Sequence, residues 1–268
     1  MIDKLANVHS GAKIADDVVV EGFATIYEDV EIGPGSWIGP NAVIMNGARI
    51  GKNVKVFPGA VIAGDPQDLK FQGEYTTAEI GDNTIIREYV TINKGTKANN
   101  KTVVGNDCLI MSYVHIAHDC VLKDRVILGS YAALAGEVEV DNWAIISPAS
   151  LIHQFVRIGA HVMIQAGSKT SKDIPPFIMA GRDPISFTGV NSIGLRRRNF
   201  DNDTIYAMQE VYRIIYQRGL NISDALEFVE ANLPVSKERD EIVLFIRDSK
   251  RGIVRGYFDG KDSYPSPS

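Results

Sequence analysis

Residues 104–128 read VGNDCLIMSYVHIAHDCVLKDRVIL, and an aliphatic residue recurs in this stretch at every sixth position. The same spacing of Ile, Val or Leu holds over residues 8–164. Its only exceptions are Asp68, Glu74 and Ala98. A helix has a period of 3.6 residues and a strand a period of 2, so neither produces a repeat of six. A short fixed period is typical of a solenoid, in which each turn of the chain covers the apolar face of the next.

A second position of the repeat, four residues after each aliphatic residue, is also restricted. It carries small or β-branched residues such as Ala24, Ala42 and Cys108. This pattern predicts a triangular coil of eighteen residues, with an aliphatic side chain on each flat side and a small residue near each corner. Parallel pairing would stack such coils about 4.8 Å apart, giving about nine coils. Glycines such as Gly81 and Gly105 follow the aliphatic residue, where we expect them to form the turns.

Two segments interrupt the aliphatic series, and we expect them to be loops that project from the coils. They comprise residues 63–79 and 94–103. Both preserve the phase of the repeat, because Ile80 and Val104 resume in register. Binding residues concentrate on loops that a rigid scaffold holds, so these loops are candidate parts of a functional site.

The repeat ends at Pro175-Pro176, and adjacent prolines cannot continue a strand ladder. We therefore predict a β-helix domain over residues 1–176. Residues 177–255 are predicted to form a small helical domain, and residues 256–268 a disordered tail.

The second domain shows helical rather than six-residue spacing. Apolar residues between Ile205 and Tyr216 recur with the period of an amphipathic helix. Ser223 and Ser236 are candidate N-caps for helices over 224–232 and 237–250.

The bulk composition excludes some classes of function. Hydrophobic residues make up 45% and charged residues 23%, as in an ordinary soluble protein, and no apolar run approaches a membrane span. The repeat begins close to Met1, so we expect no secretory signal. A net charge of −5 argues against nonspecific nucleic-acid binding. Cys108 and Cys120 occupy the small-residue position, which predicts buried free thiols and a cytoplasmic protein.

Two of the five histidines lie close together on a single coil. His118 precedes Asp119, and such a pair can act as a general base and its orienting carboxylate. The alternative is that His115 and His118 are surface residues on a turn. A third interpretation adds His153 to both and makes the three zinc ligands.

The repeat resembles that of the hexapeptide-repeat acyltransferase superfamily. This resemblance implies an all-β left-handed parallel β-helix, followed here by the small α-helical C-terminal domain, and association as a homotrimer. The left hand comes from the resemblance, because crossovers between parallel strands are ordinarily right-handed.

A more specific resemblance rests on six motifs that occur in a fixed order. Together they are similar to the acyl-(acyl-carrier-protein)–UDP-N-acetylglucosamine O-acyltransferase family, which catalyses the first step of lipid A biosynthesis, over residues 1 to about 255. The motifs are Gln67-Asp68-Leu69-Lys70, His115-Ile116-Ala117-His118-Asp119, Leu134-Ala135-Gly136, His153-Gln154-Phe155, Ile174-Pro175-Pro176-Phe177 and Gly194-Leu195-Arg196-Arg197-Arg198.

The resemblance implies direct transfer of a 3-hydroxyacyl chain to the sugar 3-hydroxyl of UDP-N-acetylglucosamine. The donor is acyl carrier protein, whose 4'-phosphopantetheine carries the chain, so the enzyme itself needs no cofactor or metal. His118 is the implied base, Asp119 its orienting residue, and the Gly136 amide a donor to the oxyanion.

Further residues match substrate-binding positions of that family. The implied sugar and phosphate contacts are Gln67, Asp68, Lys70, His115, His153, Gln154, Asn191, Arg197 and Arg198. Met163 and Ala166 match positions that line the acyl groove, and the small Ala166 predicts a long chain. The basic residues that would meet the acidic carrier protein are not resolved by sequence among Arg213, Arg218, Arg247, Lys250, Arg251 and Arg255.

This chain departs from the best-known relatives at three positions. Asn93 and Glu137 stand where those relatives carry histidine, and Ile193 stands where many carry glutamate near the nucleotide. Asn and Glu still form hydrogen bonds, whereas Ile cannot, so the nucleotide contacts at Ile193 are in doubt.

Other functions remain open on the sequence alone. The sister N-acyltransferase of the same pathway carries an additional N-terminal domain, for which the repeat beginning at Val8 leaves no room. An acceptor with a 3-amino sugar is not distinguished from the 3-hydroxyl. A zinc enzyme resembling hexapeptide carbonic anhydrases and a non-enzymatic β-helix scaffold are the remaining alternatives.

Overall fold

The computed structural model describes residues 1–256 and contains the parallel β-helix that the six-residue repeat predicts, with the left hand that the resemblance implies. Strand partners lie eighteen residues apart, as in Asn7 with Thr25 and Lys13 with Glu31, so each coil consists of three hexads. Three sheets of nine, eight and eleven strands form the faces of this described part.

The first face contains strands Asn7–Val8, Thr25–Ile26, Val43–Ile44, Val61–Gly64, Thr91–Asn93, His115–Ile116, Ala133–Leu134, Leu151–Ile152 and Lys169–Thr170. The second face contains Lys13–Ile14, Val30–Ile32, Ala48–Ile50, Thr77–Ile80, Lys101–Val104, Val121–Leu122, Glu139–Val140 and Arg157–Ile158. The third face contains Val19–Val20, Trp37–Ile38, Lys55–Val56, Ile85–Ile86, Leu109–Ile110, Ile127–Leu128, Ile145–Ile146, Met163–Ile164, Ile178–Gly181, Ser186–Val190 and Arg255–Gly256.

The repeated aliphatic residues point into the coil and form one continuous core. Ile92, Ile110 and Ile116 are fully buried, and burial of each such side chain contributes about 1.5–3 kcal/mol. The small residues are buried beside them, including the free thiols of Cys108 and Cys120. Both repeat positions therefore have the burial that the sequence predicts.

The corners differ from the expectation that glycines form the turns. The left-handed conformation falls three residues after the aliphatic residue, at positions such as Asn83 and Asp107. Gly81, directly after the aliphatic residue, has no positive φ, but a Cβ there would lie 2.5 Å from the backbone of Gly105 in the next coil. These glycines are thus required by the close approach of stacked corners rather than by backbone conformation.

The two predicted loops are present but shorter than the segments that lack the repeat. Strands Val61–Gly64 and Thr77–Ile80 bound the first loop, residues 65–76. Strands Thr91–Asn93 and Lys101–Val104 bound the second loop, residues 94–100. The ends of the predicted segments pair with neighbouring coils and are strands.

The third face does not end at the predicted domain boundary. Ile178–Gly181 pairs in parallel with Met163–Ile164, and Ser186–Val190 returns antiparallel to it. Pro175 and Pro176 lie between strands, where the missing N–H groups interrupt no ladder. Prolines at a corner are therefore compatible with continuation of the sheet beyond them.

Four helices follow within the described residues: α1 (Ser192–Arg197), α2 (Asn202–Gln217), α3 (Ile222–Asn232) and α4 (Lys237–Arg247). Ser236 caps α4 as predicted, whereas α3 is capped by Asn221 rather than Ser223. The predicted tail, residues 256–268, lies outside the described chain except for Gly256, which ends a short strand.

Helix α2 joins the helical part to the last coil. Its buried Tyr212 donates a hydrogen bond of 2.6 Å to the carbonyl oxygen of Pro176. Asp173 accepts hydrogen bonds from the Arg157 amide and the Ser249 hydroxyl. The segment after α4 is thus bound to the same coil.

Candidate functional site

His118 and Asp119 form a closely coupled pair at the corner between the first and second faces. Ile116 fills the core, and the chain then turns through Asp119, whose φ is 61°. His118 Nδ1 lies 2.8 Å from Asp119 Oδ2. The two side chains are almost completely buried, with Asp119 only 1% exposed. The predicted base and orienting carboxylate are therefore in hydrogen-bond contact.

The second loop keeps Asp119 ionised. Burial alone would raise the pKa of this carboxyl group. Hydrogen bonds from the Thr96 hydroxyl, from His118 and from the amides of Thr96 and Asn99 outweigh burial, so the pKa lies below its ordinary value. An ionised carboxylate can only accept, so Nδ1 of His118 carries the proton of this hydrogen bond. The lone pair of the neutral ring is then on Nε2.

The other ring nitrogen of His118 faces a groove of about 720 Å³. His118 Nε2 lies 4.0 Å from Asp68 Oδ2, which belongs to the first loop. The groove is lined by Gln67, His115, Ala117, His118, Ala133, Leu134, Ala135, Gly136, Leu151, Ile152, His153, Gln154, Lys169, Thr170 and Ser171. Six of the residues predicted from sequence thus lie along one surface: Gln67, His115, His118, Gly136, His153 and Gln154.

His115 lies three residues before His118, in the strand His115–Ile116 of the first face. Its Nδ1 is 2.7 Å from the hydroxyl of Thr91. Burial, followed by the neighbouring His118, lowers the pKa of His115. A neutral His115 can contact a ligand in the groove through Nε2 without adding positive charge beside His118.

Gly136 lies directly against the imidazole of His118. A Cβ built on Gly136 would be 2.5 Å from His118 Cε1 and 2.6 Å from Nε2. The Gly136 amide N–H donates to no acceptor within residues 1–256. The glycine therefore makes room for the ring, and its N–H is free to bind a ligand.

The neighbouring residues His153 and Gln154 line the groove and also contact other protein side chains. Gln154 Nε2 is 3.4 Å from Glu137 Oε1, and His153 Nδ1 is 3.3 Å from a nitrogen of Arg251. Glu137, one of the departures from the relatives, thus makes a hydrogen bond at the edge of the groove.

The first loop carries Lys70 with Asp68, but only Asp68 approaches His118. The Lys70 amide donates to Asp68 Oδ1 at 2.9 Å, which fixes the turn, while the Lys70 side chain is exposed. Asn93 is buried and donates to the carbonyl oxygen of Asp65 at 3.0 Å. Asn93 therefore supports the first loop instead of lining the groove.

The predicted nucleotide contacts lie at a different edge, the corner between the second and third faces. Asn191 caps α1, and its amide donates to the His161 carbonyl oxygen at 2.9 Å. Arg198 stacks on the Trp143 ring at 5.0 Å and donates to the Trp143 carbonyl oxygen. Arg197 is exposed at the end of α1. Within one chain these residues do not meet the groove of His118.

The predicted acyl-groove residues are also separated from His118 within one chain. Met163 lies on the third face, and Ala166 lies at the corner between the third and first faces. Both are exposed, as is Ile193 on α1.

Most of the candidate carrier-protein contacts already have partners within the chain. Arg213 pairs with Glu210, and Arg247 pairs with Glu230. Arg218 stacks on Phe228, and Arg251 donates to the Ser171 carbonyl oxygen. The geometry therefore selects none of these residues as the docking surface.

Sequence reasoning missed two groups of residues that contact the predicted site. Thr96, Asn99 and Thr91 belong to no recognisable motif. Single Thr and Asn residues are common in loops and strands, so nothing in the sequence distinguishes these three. His161 was not assigned a role, although burial and then Arg198 lower its pKa to about 4.

The zinc interpretation of the histidines finds no support in the described part of the chain. His, Cys, Asp and Glu side chains of residues 1–256 form no group of three or more suited to a metal ion, so the three histidines considered for zinc do not constitute such a group. Over the same residues, none of the helices has both the length and the apolar character needed to span a membrane.

Comparison with known proteins places these features in a family. A family model described as UDP-N-acetylglucosamine O-acyltransferase, domain 2, matches residues 173–254. The bacterial transferase hexapeptide model (six repeats) matches residues 29–64 and 101–136. An acyl-(acyl-carrier-protein)–UDP-N-acetylglucosamine O-acyltransferase of Thiobacillus denitrificans is 40% identical over 255 residues, covering 95% of this chain and 99% of the relative.

Solved structures give the same result. The UDP-N-acetylglucosamine acyltransferase LpxA of Bacteroides fragilis superposes with a TM-score of 0.93 at 54% identity, covering 95% of this chain and 100% of that one. The UDP-N-acetylglucosamine acyltransferase of Francisella novicida superposes with a TM-score of 0.92 at 38% identity, covering 95% and 94%. The chain therefore belongs to the acyl-(acyl-carrier-protein)–UDP-N-acetylglucosamine O-acyltransferase family.

Proposed function

We propose that this protein transfers a 3-hydroxyacyl chain from acyl carrier protein to the 3-hydroxyl of UDP-N-acetylglucosamine, the first step of lipid A biosynthesis. The observation that carries the proposal is the His118–Asp119 pair, in which Asp119 holds Nδ1 of a histidine that lines the groove and leaves Nε2 as the acceptor. Family membership supports the reaction, and the pair supplies a base of the required kind.

In this mechanism His118 Nε2 removes the proton from the sugar 3-hydroxyl as that oxygen attacks the thioester carbonyl carbon. The new C–O bond forms, and the C–S bond to the donor's 4'-phosphopantetheine breaks. The thiolate then receives the proton from His118, so the reaction needs no cofactor beyond the donor's own arm. Asp119 stabilises the imidazolium in between through the hydrogen bond at Nδ1.

Gly136 is proposed to stabilise the transition state. The amide N–H beside the His118 ring has no acceptor among the described residues, so it can donate to the oxyanion that develops on the thioester carbonyl. Asp68, His115 and Gln154 are proposed to hold the sugar, since His115 and Gln154 line the groove and Asp68 lies 4.0 Å from His118.

We propose that the complete site forms between copies of the chain in a homotrimer. Asn191, Arg197 and Met163 would have to reach the substrate from a second copy, since they lie away from the His118 groove. The outer row of the third face supports self-association because it is largely apolar, with Leu109, Ile127 and Ile145 in line. A stack of exposed tyrosine rings, Tyr89, Tyr113 and Tyr131, extends along the adjacent corner.

The preference for a long acyl chain and the cytoplasmic location are part of the same proposal. Ala166 is small and exposed, which supports a groove open to a long 3-hydroxyacyl chain. Cys108 and Cys120 are unpaired, which supports a reducing compartment such as the cytoplasm.

The test is the transfer activity of His118→Ala. We expect activity below about 1% of wild type, because a base that takes the proton in the transition state contributes roughly 10²–10⁴-fold. His9→Ala is the matched control, since His9 is exposed in the first coil. Thermal melting and gel filtration of each variant would establish that fold and assembly are unchanged.

The same assay decides between acceptors. Donors of several 3-hydroxyacyl lengths would be combined with UDP-N-acetylglucosamine and with its 3-amino analogue. A higher kcat/KM with the 3-amino sugar would show that the protein is an N-acyltransferase and would overturn the proposed O-transfer. Activity of folded His118→Ala clearly above 1% of wild type would remove His118 from the role of base.

A further inference from the structure

The carboxylate of Asp119 receives two hydrogen bonds on each oxygen. Oδ1 accepts from the backbone amides of Thr96 at 2.9 Å and Asn99 at 3.1 Å. Oδ2 accepts from the Thr96 hydroxyl at 2.6 Å and from His118 Nδ1 at 2.8 Å. Three of these four donors belong to the second loop, which is separated from Asp119 by about twenty residues of sequence.

The direction of the Thr96 hydroxyl is determined by a further contact. The Ala98 amide donates to Thr96 Oγ1 at 3.2 Å, so one lone pair of that oxygen is occupied. The hydroxyl proton is then directed to Asp119 Oδ2, the same oxygen that accepts from His118. Because Asp119 is 1% exposed, water cannot readily replace this donor. Rotation of the carboxylate, and with it the hydrogen bond to His118, is therefore constrained by Thr96.

The second loop is itself fixed against the scaffold and the first loop. The Gly95 amide donates to the Thr77 carbonyl oxygen at 3.1 Å, and the Lys97 amide donates to Glu74 Oε1 at 3.3 Å. The Asn99 side chain donates to the Asp119 carbonyl oxygen. Thr96 thus belongs to a rigid segment that can hold the carboxylate in one orientation.

We propose that Thr96 is a positioning residue for the reaction, acting through Asp119 on the orientation of His118. This inference rests on the proposed function, in which His118 is the base. Thr96 does not line the groove and touches no substrate in this scheme. Its loss is therefore expected to lower the rate of the chemical step and to leave substrate binding largely intact.

The test compares Thr96→Val with Thr96→Ser in the full-length protein. Valine has the shape of threonine without the hydroxyl, and we expect kcat to fall roughly 10- to 100-fold, as for a small misplacement of a catalytic group. KM for both substrates should stay within about 3-fold of wild type, because only the transition state loses stabilisation. Serine retains the hydroxyl and should restore kcat to within about 3-fold of wild type.

Thr84→Val is the matched control. Thr84 is fully buried, donates to the Gly105 carbonyl oxygen and accepts from the Cys108 amide, so it makes an equivalent pair of hydrogen bonds. It lies at the corner between the second and third faces, away from His118. We expect Thr84→Val to lower Tm with kcat unchanged.

Three outcomes would overturn the proposal. The first is that Thr96→Val retains wild-type kcat, and the second is that Thr96→Ser is as impaired as Thr96→Val. The third is that the loss of activity in Thr96→Val is fully accounted for by its loss of folded protein. The His118→Ala result separates this from failure of the proposed function. An inactive His118→Ala with a fully active Thr96→Val would refute the positioning role alone, whereas an active His118→Ala would refute both.

Discussion

Substitution of Gly136 by alanine tests the geometry of the groove through a single methyl group. Gly136 has no positive φ, so alanine fits the backbone without conformational strain. The methyl carbon would nevertheless lie 2.5 Å from His118 Cε1 and 2.6 Å from Nε2. Ordinary contact between such atoms is about 3.5 Å, so the imidazole has to move by roughly 1 Å.

That displacement acts on the proposed chemical step. The ring is fixed on its other side by the 2.8 Å hydrogen bond to Asp119, which is itself held by the second loop. A displacement of about 1 Å from the productive geometry costs on the order of 10²-fold in rate. We therefore expect kcat of Gly136→Ala to fall roughly 100-fold, equivalent to about 2.7 kcal/mol of transition-state stabilisation.

The assay is steady-state acyl transfer with both substrates varied, together with thermal melting. Gly22→Ala is the matched control, because its methyl carbon would meet Asp3 Oδ1 at an ordinary 3.5 Å and lies far from the groove. The reasoning fails if Gly136→Ala keeps more than about a third of wild-type kcat at unchanged Tm. In that case either the ring does not occupy this position or His118 is not the base.

Three further perturbations follow from burial and charge. The folded state holds the pKa of His161 at about 4, below the ordinary 6.5, so the unfolded chain binds the additional proton as pH falls from 6.5 to 4. Because His161 is only partly buried, solvent screens this effect, and we expect roughly 2–3 kcal/mol of stability to be lost over this window, as measured by urea unfolding. His161→Gln should flatten this pH dependence. Burial raises the pKa of the Cys108 thiol to about 11 and of the Cys120 thiol to about 12, so iodoacetamide at pH 8 should label neither thiol until the protein is denatured, as read by mass spectrometry. Prolonged dialysis against EDTA should leave kcat unchanged, since the described residues offer no metal site, and stoichiometric zinc in elemental analysis would contradict this.

The sequence predicts the coil well because the six-residue period has one physical cause. Each inward position must be aliphatic to fill the core, and residues such as Ile110 and Ile116 are fully buried as expected. The reason for a glycine near a turn is harder to predict from sequence. A glycine after the aliphatic residue suggests a turn, but Gly81 is required because the backbone of Gly105 in the adjacent coil leaves no room for a Cβ.

The sequence predicts contacts within the candidate site only where the contacting residues belong to the same short motif. His118 and Asp119 are adjacent in sequence, so their contact follows from the corner they share. Thr96 reaches Asp119 through a loop whose path the repeat does not specify. The edge on which Arg198 lies depends on how the chain leaves the last coil, and the strand Ile178–Gly181 beyond the prolines changes that path.

The two loops also have a consequence for how the molecule tolerates deletion. Val61 pairs with Thr91, thirty residues later, and Thr77 pairs with Lys101, twenty-four residues later, instead of the usual eighteen. The excess is twelve and six residues, which are whole hexads. Removal of residues 65–76 would therefore leave every later aliphatic side chain in frame, whereas loss of one residue from a coil would shift them all. Such a deletion is expected to keep the core and to remove Asp68, so that the fold can be separated from the proposed chemistry in a single chain.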